Sequence, residues 1–483
     1  MKKYITIFLG ILVFLDIYSF AQKAKDRDIQ SRPVTFKLKV VNYLKVPDTM
    51  SILLMTDPLK IGDGDTYIAI RDSSNQFTFK LPILKAPARL FIKTIINPNI
   101  LREYWVEPSD DVLLAIKAQG KNTLINVTGY GGGKYRYSVF LDSAYKANRR
   151  IGKRHPYSPE LLNNDISFSD TTFSFGKAIL DKFKQDITPA MYKILHAEFV
   201  GKNIKTKWTY ASIYKSAAPI DSGITNRILA LEKEPIIDTV SISAAISAPN
   251  YIDGSKLAAI IYNKTRYAGA NSVIAQTYDY LKAKYTGALQ EYLITSYLID
   301  RPKGSSTEFK SVLIDAVSFV KDKKLNSRLH ELLSALSYDS SSYPHIFMDA
   351  EGKNRTLAEW KGKVILIDFW FNGCVPCKHF SKVFEEKILP VFKDSREVIF
   401  IGINIDQDKK KWISGIKSKE YTSDETINLS TLGLGFAHPF PKMFNVMSAP
   451  TLFLIGKDGR LITSNLTKDA DQIIQQIKNA ILK

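Results

Sequence analysis

The chain has 483 residues, enough for two to four domains at roughly 100–200 residues each. Its 67 Lys+Arg against 48 Asp+Glu leave a formal charge of +19, yet no dense basic block interleaved with aromatics accompanies it, so a nucleic-acid partner is not expected. A 45% hydrophobic and 24% charged composition excludes general disorder, and two cysteines exclude both a disulfide-stapled scaffold and a four-cysteine metal site.

The first residues carry a targeting pattern. Lys2 and Lys3 precede the apolar run Ile5 to Leu15, and Ser19-Phe20-Ala21 supplies the small residues of a cleavage site. A signal peptide over 1–21, cut after Ala21, is expected. The run is shorter than the ~20 residues of a spanning helix, and Asp16 interrupts its far end. No cysteine follows Ala21 for lipid attachment, and no later segment approaches spanning length. The mature protein is expected to be exported and soluble, in a compartment where disulfides persist.

Residues 33–129 alternate apolar and polar positions. Val34 to Val40, Gln76 to Leu81, Arg89 to Thr94, Asp111 to Ile116 and Thr123 to Val127 have the period of two of half-buried strands. Gly62-Asp63-Gly64-Asp65 and Gln119-Gly120 mark turns between them. The spacing predicts an N-terminal β-sandwich. Gly131-Gly132-Gly133 reads as an exit linker, since it lacks the Lys-Ser/Thr of a phosphate loop.

Over 134–337 the spacing becomes helical. Phe175 to Lys184, Met191 to Val200, Tyr278 to Ile299 and Phe309 to Lys321 repeat apolar residues every three or four positions. Asp170-Thr171-Thr172 and Ser306-Thr307-Glu308 offer N-caps. This α-helical middle segment shows no ligand set and no carboxylate pair at catalytic spacing.

From about Pro344 the texture changes again. Ile346 to Lys353 reads as a strand and turn. Val364 to Ile367, Val398 to Ile405 and Thr451 to Ile455 are continuous apolar runs, the mark of strands buried on both faces. Lys457-Asp458-Gly459 turns into Arg460-Leu461-Ile462, and Asp471 to Leu482 closes the chain as an amphipathic helix. Residues 340–483 are therefore expected to form a C-terminal α/β domain.

Both cysteines lie in Cys374-Val375-Pro376-Cys377, just after the strand Val364 to Phe371. A helix is expected to start at Cys374. A thiol there faces unpaired backbone N–H groups and the positive end of the helix dipole, which favours its thiolate. Cys377 lies one turn on. Cys374 can attack a partner disulfide, and Cys377 can resolve the mixed disulfide. Three other readings stay open. The pair could be a structural disulfide, although so tight a ring closes little chain entropy. It could be half of a zinc site completed by His379 or His438, or an inactive remnant.

Asp368 to Cys377, read as Asp-Phe-Trp-Phe-Asn-Gly-Cys-Val-Pro-Cys, resembles the active-site strand and helix start of a thioredoxin. Gly352-Lys353, Leu357 and Gly362-Lys363-Val364 are similar to the entry of TlpA-like periplasmic thioredoxin domains. Ser448 to Ile455 resembles the loop that holds the family's cis-proline, and Lys457 to Arg460 the hairpin turn after it. The match covers about residues 340–483. More loosely, Tyr104 to Asp110 and Val127 to Gly129 resemble the N-terminal β domains of multi-domain envelope thioredoxins.

The resemblance implies a thioredoxin fold and an exported thiol–disulfide oxidoreductase that reduces protein disulfides without a diffusible cofactor or metal. An electron-donating dithiol protein and a membrane-proximal place in the periplasm or cell envelope go with it. Cytochrome c maturation is one known family role. Cys374 would be the nucleophile, Cys377 the resolving thiol and Asp368 a buried base for the Cys377 proton. Pro450 would be cis, setting the Ala449 backbone beside the cysteines for an extended substrate, and Trp370 would pack near the disulfide. Gly373, Gly402 and Lys382 depart from the pattern: many members carry Trp, some a buried Lys, and commonly a helix proline at these places. His379 is expected on the surface and His438-Pro439-Phe440-Pro441 as a stiff structural loop. The alternative function is an envelope binding or assembly protein with an accessory thioredoxin module.

Overall fold

The structure is a computed structural model. It describes residues 32–483 apart from 44, 58, 60–63, 95–102, 120, 121, 148–156, 271, 301–306, 340–344, 445, 465 and 483. The expected signal peptide, and the turn positions Gly62, Asp63 and Gly120, lie outside the described residues. The chain divides into two compact units. One holds the chain up to Ile224 with Glu234–Gly254, the other Thr225–Lys233 with Ser255–Lys483. The helical segment is thus shared between them. No helix among the described residues is long and apolar enough to cross a membrane.

The first unit begins with eight strands: β1 (Thr35–Val41), β2 (Thr49–Met55), β3 (Asp65–Ile70), β4 (Gln76–Lys80), β5 (Ala88–Ile92), β6 (Glu103–Val106), β7 (Asp111–Gln119) and β8 (Asn122–Tyr130). They form two four-stranded sheets, ordered β4-β1-β7-β8 and β3-β2-β5-β6. Only β1 and β7 run parallel; every other pair is antiparallel. The alternation predicted for β1 is seen in its burial, with Phe36, Leu38 and Val40 turned inward. These residues share one core with Ile52, Leu54 and Leu90 of the other sheet. Each such side chain contributes about 1.5–3 kcal/mol on burial.

The three glycines after β8 are not a linker. Gly131 makes a left-handed turn at φ +80°, and α1 (Gly132–Ala147) starts at once. A Cβ on Gly133 would lie 1.8 Å from the Asp186 carbonyl oxygen, so the helix needs glycine there for close approach.

Other helix boundaries also differ from the sequence pattern. Asp170-Thr171-Thr172 is not a cap but lies inside α2 (Pro159–Lys182). The cap is Ser158, whose side chain accepts from Leu161 N–H, with Pro159 opening the helix. Met191 to Val200 falls in the longer α3 (Pro189–Ala217). After α4 (Ser222–Leu231), α5 (Ile242–Ser247) and α6 (Pro249–Arg266), the run Tyr278 to Ile299 proves to be two helices. These are α7 (Ile274–Lys284) and α8 (Gly287–Ile299), broken where Gly287 takes φ +61°. Then come α9 (Thr307–Phe319) and α10 (Lys323–Leu336).

The last part of the second unit is a seven-stranded sheet with helices. Its elements are β9 (Ile346–Asp349), β10 (Asn354–Thr356), β11 (Val364–Trp370), α11 (Val375–Val383), α12 (Leu389–Phe392), β12 (Val398–Asn404), α13 (Lys409–Ser418), β13 (Ile427–Ser430), α14 (Pro439–Met443), β14 (Thr451–Ile455), β15 (Leu461–Thr463) and α15 (Ala470–Ile481). The strand order is β10-β9-β13-β12-β11-β14-β15. The central strands β11, β12 and β13 run parallel, and β14 is antiparallel to β11. A π-helical stretch, Phe384–Ile388, joins α11 to α12.

The continuous apolar run in β11 has its predicted cause. Ile365, Ile367 and Phe369 enter the core on one side, and Val364 and Leu366 the core on the other. The second core also takes Phe380 and Phe384 from the chain that follows Cys377. By strand alternation, Asp368 and Trp370 share the Val364 and Leu366 side.

Candidate functional site

The chain leaves the C-terminal end of the central strand β11 and turns directly into the two cysteines. Cys374 is the N-cap of α11, one residue outside the helix that was expected to begin with it. Pro376 occupies the first turn, where a missing N–H leaves no helical bond unmade. Cys377 N–H points at Cys374 Sγ at 3.1 Å. The two cysteines form a disulfide with Cα atoms 5.2 Å apart. Cys374 is 2% exposed and Cys377 fully buried, while Val375 between them is 77% exposed. The ring is thus reached at its Cys374 end. After reduction, a thiolate on Cys374 would find a backbone donor already aimed at it.

Side chains from distant segments hold the approach to Cys374. Asn372 N–H donates to Asp406 Oδ2 at 2.8 Å, and its Nδ2 to the Lys411 carbonyl at 3.0 Å. Gly373 N–H donates to the Tyr421 hydroxyl at 3.1 Å. Cys374 N–H closes a turn onto the Phe371 carbonyl at 3.2 Å. Gly373 sits at φ +91°, which explains glycine where a Trp is common: a side chain there would be strained.

Trp370 is fully buried and clusters with Cys374, Cys377, Trp412 and Tyr421. Its indole stacks on Tyr421, centroids 5.7 Å apart and planes 6° from parallel. Two glycines make room for it. A Cβ on Gly415 would come within 2.7 Å of the indole, and one on Gly402 within 3.0 Å of its Nε1. The absence of a lysine at Gly402 therefore has a steric reason.

Asp368 pairs in the sheet with Gly402 on one side and Leu452 on the other. Its residue keeps a partly exposed edge, but Oδ1 is enclosed and takes no hydrogen bond from the protein. Burial pushes this carboxyl well above the usual range, with Lys468 opposing the shift. Asp368 lines a cavity together with Phe380, Ser381, Gly402, Tyr421 and Thr422. The carboxyl therefore lies beneath the helix that Cys374 caps. Lys468 and Tyr421 were not singled out from the sequence. Both come from loops far along the chain and carry no local motif.

The Ala449–Pro450 peptide is cis, and the Ala449 carbonyl oxygen lies 3.7 Å from Cys374 Sγ. All six residues singled out from the sequence, Asp368, Trp370, Cys374, Cys377, Ala449 and Pro450, thus gather at one end of β11 and β14. His379 is exposed, as expected. His438 is buried, and both of its ring nitrogens are engaged. Phe440 N–H donates to Nδ1 at 3.2 Å, and Nε2 bonds the Ile346 carbonyl at 2.9 Å. Burial holds its imidazole below the usual range, against that bond to Ile346. His438 caps α14, so the expected stiff loop is a short helix. Among the described residues, no group of three or more His, Cys, Asp or Glu side chains is placed to hold a metal.

Residues 362–461 match a family described as thioredoxin-like. The thiol-disulfide oxidoreductase ResA of Geobacillus thermodenitrificans (strain NG80-2) is 24% identical over 159 residues, covering 30% of this chain and 80% of the relative. The protein of the same name from Geobacillus kaustophilus (strain HTA426) is 26% identical over 155 residues, with the same coverage of 30% and 80%. A solution structure of a thiol:disulfide interchange protein from Bacteroides sp. aligns with 31% of this chain and 93% of its own, at 19% identity and a TM-score of 0.26. The family match spans the segment that carries Cys374 and Cys377. The protein is accordingly a disulfide oxidoreductase whose residues 362–461 are thioredoxin-like.

Proposed function

We propose that the protein is exported through residues 1–21 to the periplasm or cell envelope and there reduces disulfides of partner proteins. In this reading residues 33–129 are a β-sandwich domain, 134–337 a helical domain and 340–483 the redox domain. The observation that carries it is the Cys374–Cys377 disulfide at the start of α11, with Cys377 N–H directed at Cys374 Sγ.

The reaction runs in two steps. The Cys374 thiolate attacks one sulfur of the partner disulfide, and the other partner sulfur leaves as a thiolate and takes up a proton. Cys377 then gives its proton to the Asp368 carboxylate and attacks Cys374 Sγ, releasing the second partner thiol. The partner gains two electrons and the chain is left oxidised. A second dithiol protein returns it to the reduced form. The raised proton affinity of Asp368 suits it to accept the Cys377 proton. Ala449 and cis-Pro450 border Cys374 where an extended partner segment would pair, and Trp370 backs the dithiol.

Capture tests the proposal. In the full chain carrying Cys377→Ser, expressed in cells that export it, Cys374 is expected to stay joined to partner proteins. The adducts should dissolve on reduction and be missing when Cys374 is also serine. No reducible adduct under these conditions would contradict partner reduction.

A further inference from the structure

We propose that Tyr421 is a positioning residue of the exchange reaction, its hydroxyl holding Gly373 N–H and with it the turn that presents Cys374. The inference rests on the reading of Cys374 as the attacking thiol. Gly373 has little else to fix it. It has no side chain, it sits at φ +91°, and nothing lies within 4 Å of where its Cβ would be. Packing therefore cannot hold this residue, and its anchor is the 3.1 Å bond to Tyr421.

The tyrosine itself is firmly held. It is 8% exposed, stacks on Trp370 and belongs to the cluster containing both cysteines. The neighbouring Glu420 carboxylate is held below its usual range, chiefly by Lys378. Lys378, the residue after Cys377, is ion-paired with Glu420. Glu420, next to Tyr421 in the chain, is thus matched by Lys378.

The consequence concerns the donor at Cys374. Cys377 N–H meets Sγ at 3.1 Å only while Cys374 keeps its cap geometry. A glycine released from Tyr421 samples other backbone conformations, and the donor loses its alignment for part of the time. The thiolate is then less favoured, and attack at neutral pH slows.

The test compares the reduced full chain with its Tyr421→Phe variant, which keeps the ring and removes the oxygen. The rate of reaction with 2-hydroxyethyl disulfide, small and uncharged, is followed against pH. The variant is expected to react at least about fivefold more slowly at pH 7, with its inflection moved to higher pH. Loss of packing alone would lower the thermal midpoint without moving the inflection. Overlaid profiles would overturn the proposal. If the variant does not fold, exchange of the Gly373 amide in the reduced wild-type chain decides. Protection supports the bond, and exchange at the rate of an open chain overturns it. A wild-type chain inert to the disulfide would overturn the reading of Cys374 and this inference together.

Discussion

Replacing Asp368 with asparagine is expected to stabilise the fold at neutral pH and to slow disulfide exchange. The carboxyl is pushed well above its usual range by burial, and Oδ1 receives no hydrogen bond from the protein. Between the unfolded and folded pKa the unfolded chain loses this proton and the native chain keeps it. The native state then binds more protons, so stability falls as pH rises through that window. Above it the native chain carries a buried charge with only Lys468 to oppose it. Asparagine has the same shape and no charge. It should raise stability at pH 7 by about 1–3 kcal/mol, the scale of one unsatisfied buried group. The gain should shrink toward zero as pH falls below the unfolded carboxyl range, where both chains are neutral. Urea unfolding of the oxidised proteins from pH 3 to pH 8 reads this directly. Parallel curves for the two proteins would contradict a buried, shifted Asp368.

The same substitution removes the acceptor for the Cys377 proton. Resolution of a preformed mixed disulfide is expected to slow on the order of 100-fold, the low end of general acid–base catalysis. The first step, attack by Cys374, should change much less. Stopped-flow measurement of each step separates them. Equal slowing of both would assign Asp368 a role in the nucleophile instead.

The second large effect is the asymmetry of the two cysteines. Cys374→Ser is expected to lower exchange to the uncatalysed background, because the hydroxyl is a far weaker nucleophile than a thiolate. Cys377→Ser should leave the first attack intact and abolish turnover, since nothing resolves the adduct. Single-turnover and multiple-turnover assays on a protein disulfide distinguish the two. The difference follows from position: Cys374 caps the helix at the open end of the ring, and Cys377 is fully buried. Identical behaviour of the two variants would contradict these roles.

Much of the redox domain was legible in the sequence, because its central strands are buried on both faces. Val364 to Ile367, Val398 to Ile405 and Thr451 to Ile455 read as flat apolar runs and became β11, β12 and β14. The dithiol is legible from two cysteines one helical turn apart at the end of a buried strand, whereas the cis-proline and the buried aspartate come through the resemblance. The first unit was read only in part. β2 escaped because its outward positions include Leu53 and Met55, so the alternation that burial reveals is hidden in the residue types. β6 is four residues long, too short for a period to show. The extra helix boundary at Gly287 and the tight approach at Gly133 depend on backbone conformation and neighbours that no local pattern encodes. Tyr421 is the sharpest case. It lies 48 residues from Gly373, in a loop, and only the fold brings its hydroxyl to that amide.

The most direct test of the account is the equilibrium reduction potential of the Cys374–Cys377 pair in the mature chain. A reductase fed by another dithiol protein should lie near cytosolic thioredoxin, roughly −270 mV. A value near roughly −120 mV would mark a donor of disulfides and contradict the proposed direction of electron flow.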